Sequence, residues 1–143
     1  MPNSPSTMPK IVFDASSLVG ALLKEGSIPE RALLMARAQG TLCLSPAVDA
    51  EVREVFGRLK FRRYLANDRA NAILYLLTVT AEWVSPTVSI TDCRDRKDNK
   101  YLELALAASV DFIISSDEDL LVLDPWRGLR IVSPIFYVRE FGG

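Results

Sequence analysis

The chain has 143 residues, of which 49% are hydrophobic and 24% charged, with a formal net charge of −1. That suits one domain with a real core, since about two-thirds of the unfolded surface is buried at this size. It excludes the global basic field that marks many nucleic-acid binders. There is no histidine, so Ser-His and Cys-His nucleophile pairs, His-bound metals and imidazole acid–base chemistry are removed. Carboxylates are left as the tools of any enzyme here. The two cysteines, Cys43 and Cys93, fit neither a disulfide framework nor a zinc spacing, and the simplest setting for them is a reducing cytosol. No apolar run approaches the ~20 residues of a membrane span. The expectation is a soluble, cytoplasmic protein with no membrane partner.

The opening "MPNSPSTMPK" is polar and rich in Pro and Ser. Residues 1–9 are expected to form a disordered tail, with Met8 as an alternative start, ahead of one domain over 10–143. "KIVFD" (10–14) reads as a strand buried on both faces. "SSLVGALLKEG" (16–26) reads as a helix started by Ser and stopped by Gly26, and "PERALLMARAQG" (29–40) as a second, with Pro in its first turn. "TLCLS" (41–45) is another buried strand. "PAVDAEVREVFGRL" (46–59) carries Val48, Val52, Val55 and Phe56 at helical spacing. "NDRANAILYLLTVTAEWV" (67–84) is a helix running into a strand. A polar loop (87–96) leads to the helix "KDNKYLELALAAS". "DFIIS" (111–115) and "LRIVS" (129–133) are strands on either side of the turn "DEDLLVL", and "PIFYVREF" is a terminal helix. Short apolar strands alternating with helices predict an α/β domain whose parallel sheet is covered on both faces.

In such sheets, sites form beyond the carboxyl ends of the strands where strand order switches. Asp14 ends the first strand, Asp117 and Asp119 follow the fourth, Asp98 opens the helix leading back to it, and Glu51 lies within the helix after the second. If the first and fourth strands are neighbours, Asp14 and Asp117 meet at one edge, with Asp98 and Glu51 flanking. Each acid alone has a plainer reading. Asp98, Asp117 and Asp119 are ordinary helix-start residues, and Glu51 suits a solvated face. Asp14 is harder to dismiss, because a charge directly after a buried strand needs a partner. Clustered carboxylates repel and raise each other's pKa, and a divalent cation relieves this. Oxygen-only ligands suit Mg²⁺ or Mn²⁺, which serve phosphate chemistry. No GxxxxGK[ST] and no GxGxxG follows the first strand, and "DASS" lacks the D-x-D of haloacid-dehalogenase-type phosphatases.

"IVFDASSLVGALL", "LSPAVDAEVREVFGRLKFRR", "DCRDRKDNKYLELALAASVDFIISSDEDLL" and "LRIVSPIFYVREF" resemble, in order and spacing, the PIN-domain family. They look most like the branch formed by toxin components of bacterial toxin–antitoxin pairs. The resemblance covers nearly the whole chain after residue 9. It implies a three-layer α/β/α sandwich with a five-stranded parallel sheet and an Mg²⁺- or Mn²⁺-dependent ribonuclease. It further implies a homodimer and a small antitoxin protein that covers the acidic pocket. Carried over, the catalytic acids are Asp14, Glu51, Asp98 and Asp117, and the metal ligands Asp14, Asp98 and Asp117 with Asp119 as the common fifth acid. Ser115 stands where the family often has Thr, and Ser16 where it often has Asn; both are expected in support. Of the remaining acids near Asp98, Asp95 is expected to cap or brace and Asp92 to be a solvent charge.

"GRLKFRRYLANDR" (57–69) concentrates Arg58, Lys60, Arg62, Arg63 and Arg69 with Phe61 and Tyr64. It can hold RNA phosphates by charge and stack bases on rings, or serve as a solubilising face over core aromatics. Arg94, Arg96, Lys97 and Lys100 can help near the pocket or neutralise its rim. Two rivals to the ribonuclease stand: a non-catalytic domain binding nucleic acid or protein, and a small-molecule phosphatase.

Overall fold

The structure is a computed structural model that describes residues 8–63 and 68–142, and the side chains of all of these except 59–63. In chain order the elements are β1 (Lys10–Phe13), α1 (Ala15–Leu23), α2 (Ile28–Gln39), β2 (Thr41–Leu44), α3 (Pro46–Arg63) and α4 (Asp68–Thr80). There follow β3 (Glu82–Trp83), a 3-10 turn (Arg96–Asp98), α5 (Asn99–Ala108), β4 (Phe112–Ile114), α6 (Glu118–Leu121), β5 (Arg130–Val132) and α7 (Pro134–Phe141).

The five strands form one sheet in the order β3-β2-β1-β4-β5, and all four pairings are parallel. The strands are short and apolar because both faces are covered. Ile11, Val12, Ile113 and Ile114 have no exposed surface, and burying each such side chain is worth about 1.5–3 kcal/mol. Right-handed crossovers place α1 to α4 on one face, since the chain steps outward from β1 to β2 to β3, and α5 on the other, since it returns to β4. The packing agrees: α1 lies against α2, α3 and α4, α7 returns onto α2, and α5 lies against β1, β2 and β4. This is the expected three-layer α/β/α sandwich. The order reverses at β1, so the carboxyl ends of β1 and β4 flank the switch point.

Two local boundaries differ from expectation. The first helix starts at Ala15, and its cap is Asp14 rather than a serine: Asp14 accepts from the Ser17 N–H at 2.8 Å. The third helix continues past residue 59 to Arg63, because nothing in "KFRR" breaks a helix. Among the described residues, no helix is long and apolar enough to cross a membrane.

A candidate carboxylate site at the switch point

A polar side chain follows each strand beside the switch. Asp14 continues the β1 ladder through its N–H to the Ile114 carbonyl at 3.0 Å, so its side chain leaves the sheet at the carboxyl edge. It is only 4% exposed. Its Oδ1 caps α1, and its Oδ2 accepts from the Ser115 hydroxyl at 2.5 Å. Ser115 is fully buried, and its oxygen accepts from the Asp117 N–H at 2.9 Å. Asp117 in turn accepts from the Asp119 N–H at 2.9 Å. One serine therefore fixes both the first acid and the loop carrying the next two. Burial raises the Asp14 pKa, the hydrogen bond from Ser115 and the Ser17 N–H oppose it, and the nearby Asp117 charge adds to the rise.

Asp98 comes to the same place from the opposite face. It closes the 3-10 turn and begins α5, yet its side chain makes no capping bond. It too is 4% exposed, and its Oδ2 is buried with no hydrogen-bond partner. A buried unpaired carboxylate oxygen is expensive, and the titration reflects it. Burial first, then the Asp117 carboxyl, with Asp95 and Glu51 adding, pushes Asp98 up to about 7. The cap reading, plausible from position alone, is excluded for the Asp98 side chain. Asp95 does cap, accepting from the Lys97 N–H at 3.2 Å. Asp92 is exposed, as expected of a solvent charge, and it also has partners: its Oδ2 accepts from the Trp126 indole N–H at 2.8 Å and lies 3.7 Å from Arg127.

Glu51 reaches the group from α3, and two partners that spacing did not reveal hold it. Its Oε1 accepts from Lys100 Nζ and from the Tyr101 hydroxyl, each at 2.7 Å. The Tyr101 oxygen also accepts from the Ala15 N–H at 3.0 Å, which ties Glu51 to the turn after Asp14. Burial alone would raise Glu51, but the Lys100 and Tyr101 hydrogen bonds and the Lys100 charge outweigh it and hold it below the usual carboxylate range. Burial drives the Tyr101 hydroxyl far above the ordinary phenol range, and Glu51 reinforces this. Asn99, like Tyr101, was missed. It is buried, its Oδ1 accepts from the Cys93 N–H at 2.8 Å, and its amide donates to the Cys93 and Arg96 carbonyls. It braces the loop that presents Asp98.

The other expected residues fall differently. Asp119 is partly buried beside Asp117. Ser16 is exposed, whereas Ser17 is buried against the α1 start. Arg58 is exposed on α3, 3.6 Å from Glu54. The side chains of Lys60, Phe61, Arg62 and Arg63, and all of Tyr64, lie outside the described residues. Arg69 is not a free cation: it pairs with Glu30 and donates to the Ala21 and Leu22 carbonyls. Among the described residues, no three Asp, Glu or Cys side chains converge closely enough to hold one ion as they stand. The donor set nonetheless fits a hard divalent cation. All the donors are oxygens, the charges are alike, and Asp98 Oδ2 lacks a partner.

Comparison with known proteins adds to this geometry. Uncharacterized protein MJ1680 of Methanocaldococcus jannaschii is 30% identical over 144 residues, covering 92% of this chain and 91% of that protein. The crystal structure of PAE2754 from Pyrobaculum aerophilum superposes with a TM-score of 0.57 at 15% identity, covering 95% of this chain and 92% of that one; it shows a shared fold. The sequence model of the PIN domain matches residues 10–119, a span holding β1 to β4 and every acid of the edge. The chain belongs to the PIN domain family, and its fold is of nuclease type.

Proposed function

We propose that this protein is an Mg²⁺- or Mn²⁺-dependent endoribonuclease, acting as the toxin of a toxin–antitoxin pair. The observation that carries the catalytic part is the buried Asp98 carboxyl, its Oδ2 without a partner and the Asp117 carboxyl close by. A fold that retains such an arrangement gains from a cation there. Asp14, Asp98 and Asp117 would hold the ion, with Asp119 as a further ligand. When bound, it supplies charge for the phosphoryl oxygens and a water acidified towards neutral pH.

The chain's own side chains set the rest. Ser115 holds Asp14 and the Asp117 loop in fixed relation. Tyr101 and Lys100 hold Glu51 so that its second oxygen is left to orient the attacking water. Asp98, pushed up to about 7 by burial and by the Asp117 carboxyl beside it, would give up its proton readily as the site fills. Arg58, Lys60, Arg62 and Arg63 on α3 would hold RNA phosphates by charge. A homodimer and a small antitoxin protein are part of the same reading. The rival, a domain that binds nucleic acid without cutting it, draws support from the Lys100–Glu51 pair, which already neutralises one acid.

One experiment separates the two. Mn²⁺ is titrated into wild type, Asp14→Asn and Asp98→Asn, and cleavage of a mixed RNA pool is followed in parallel. The ribonuclease requires weaker Mn²⁺ binding and lost cleavage in both variants. Equal Mn²⁺ affinity in all three proteins sinks the site assignment.

A further inference from the structure

A groove of about 760 Å³ opens between the loop after β3 and the start of α5, with Arg94, Arg96, Lys97 and Lys100 in its wall. A second depression of about 260 Å³, beside the start of α3, shares Lys100 and Glu103 with it. The two adjoin at these shared residues as a trough. Its wall reaches the candidate site through Lys100, which holds Glu51, and Cys93 Sγ lies 3.5 Å from the backbone carbonyl of Asp119. Arg94 and Arg96 are exposed and have no ion pair among the described residues. The two carboxylates in the groove wall are engaged elsewhere. Asp92 takes the Trp126 indole, and Glu103 takes the Ile90 N–H at 2.9 Å. The loop that carries the arginines is fixed on both sides, by Asn99 at Cys93 and Arg96 and by Asp95 at Lys97. Unpaired guanidiniums on a braced loop are a prepared phosphate-binding surface, because their charge is not spent on a partner and little loop freedom is left to lose on binding.

We propose that a single RNA strand lies along this trough, with Arg94 and Arg96 each holding a phosphate and the strand bending in at Lys100 towards Asp98. This rests on the ribonuclease reading and names the path of its substrate. A single strand fits because Asp14 and Asp98 are both only 4% exposed. A phosphate reaching them must leave the line of its neighbours, which a flexible strand allows and a stiff duplex resists.

The test is fluorescence anisotropy of a labelled single-stranded RNA across a salt series, in chelator so that nothing is cut. Proteins compared are wild type, the double variant Arg94→Ala/Arg96→Ala, and the control Arg31→Ala/Arg139→Ala, which removes equal charge from α2 and α7. The trough variant is expected to bind on the order of tenfold more weakly, with a salt slope shallower by about 1.4, or ~0.7 per lost phosphate contact. Unchanged affinity and slope overturn the proposal. So does an equal loss in the control, which would make the effect one of net charge, or equal affinity for a duplex of the same sequence. A parallel cleavage assay in Mn²⁺ with Asp98→Asn keeps the two ideas apart. Retained cleavage there defeats the ribonuclease site, while the binding comparison still judges the trough.

Discussion

The two ends of the sheet treat charge in opposite ways. At the amino ends of the strands charged side chains meet partners. Lys10 Nζ meets Glu82 at 3.0 Å, the Lys10 N–H donates to Asp111 at 2.9 Å, and Arg130 grips Asp124 through two hydrogen bonds of 2.9 and 3.1 Å. At the carboxyl ends, Asp14, Asp98 and Asp117 gather with a serine between them, one carboxylate oxygen has no partner, and the balancing cation, Lys100, is spent on Glu51. One end is built for stability and the other withholds it. Uncompensated charge of this kind clusters where a protein binds or reacts.

The sharpest way to break the contrast is to neutralise the acid end. Asp98→Asn or Asp14→Asn should weaken Mn²⁺ binding, read by titration, by more than the about 10–100-fold typical of residues behind the ligands, and RNA cleavage should fall with it. The same Asp98→Asn change should raise the Tm of the metal-free protein at pH 8, because it removes a buried like charge. If Tm falls instead, the acid end is ordinary structure and the contrast is lost.

Tyr101→Phe should come next. It leaves the buried Ala15 N–H without an acceptor, at a cost of about 1–3 kcal/mol, measured by urea unfolding, and loosens Glu51. Cleavage should drop on the order of tenfold. An unchanged urea midpoint would show that the hydroxyl is not the clamp.

A smaller effect lies in pH. Folded Asp98 titrates near 7 against about 4 unfolded, so the fold favours its neutral form. Its contribution is complete below about pH 4 and is lost as pH rises through 7. Glu51 and Asp124 have lowered pKa values and act the other way, losing their contribution only when pH falls below the usual carboxylate range. Between pH 5 and 8 in chelator, Tm should therefore decline in wild type and stay flatter in Asp98→Asn. The smallest change is expected at the amino end. Lys10→Ala removes an exposed pair and should lower Tm slightly, with the difference vanishing at high salt.

Much of this could be read before any coordinates. "IVF" and "FII" are apolar on both faces, and the helices between them carry their own start signals, so a parallel sheet covered on both faces follows from general topology rules, whereas the adjacency of β1 and β4 stood only as a condition. Asp14 and Asp117 were legible because strand ends are visible in the pattern. What escaped depends on contacts between distant parts of the chain. Tyr101 sits among "LELALAA" and reads as core packing, yet its hydroxyl meets Glu51, 50 positions away. Lys100 reads as a cation near the pocket or on its rim, but nothing in the sequence names its partner, which lies 49 positions away. Asn99 needed only a six-residue reach, but nothing in "KDNK" says whether its amide faces water or the loop. Ser16 and Ser17 differ by one residue, and only the cap at Asp14 decides which of them turns inward.

The Ala15 and Cys93 amides carry one more consequence. Neither is held by a strand ladder or by a helical carbonyl; each donates to a buried side chain, Tyr101 Oη and Asn99 Oδ1 respectively. In a hydrogen-exchange experiment such amides exchange once the side chain lets go, whether or not the helix or sheet beside them opens. These two positions, one in front of Asp14's helix and one in Asp98's loop, would therefore report the integrity of the acid edge directly, as two clocks separate from the unfolding of the domain around them.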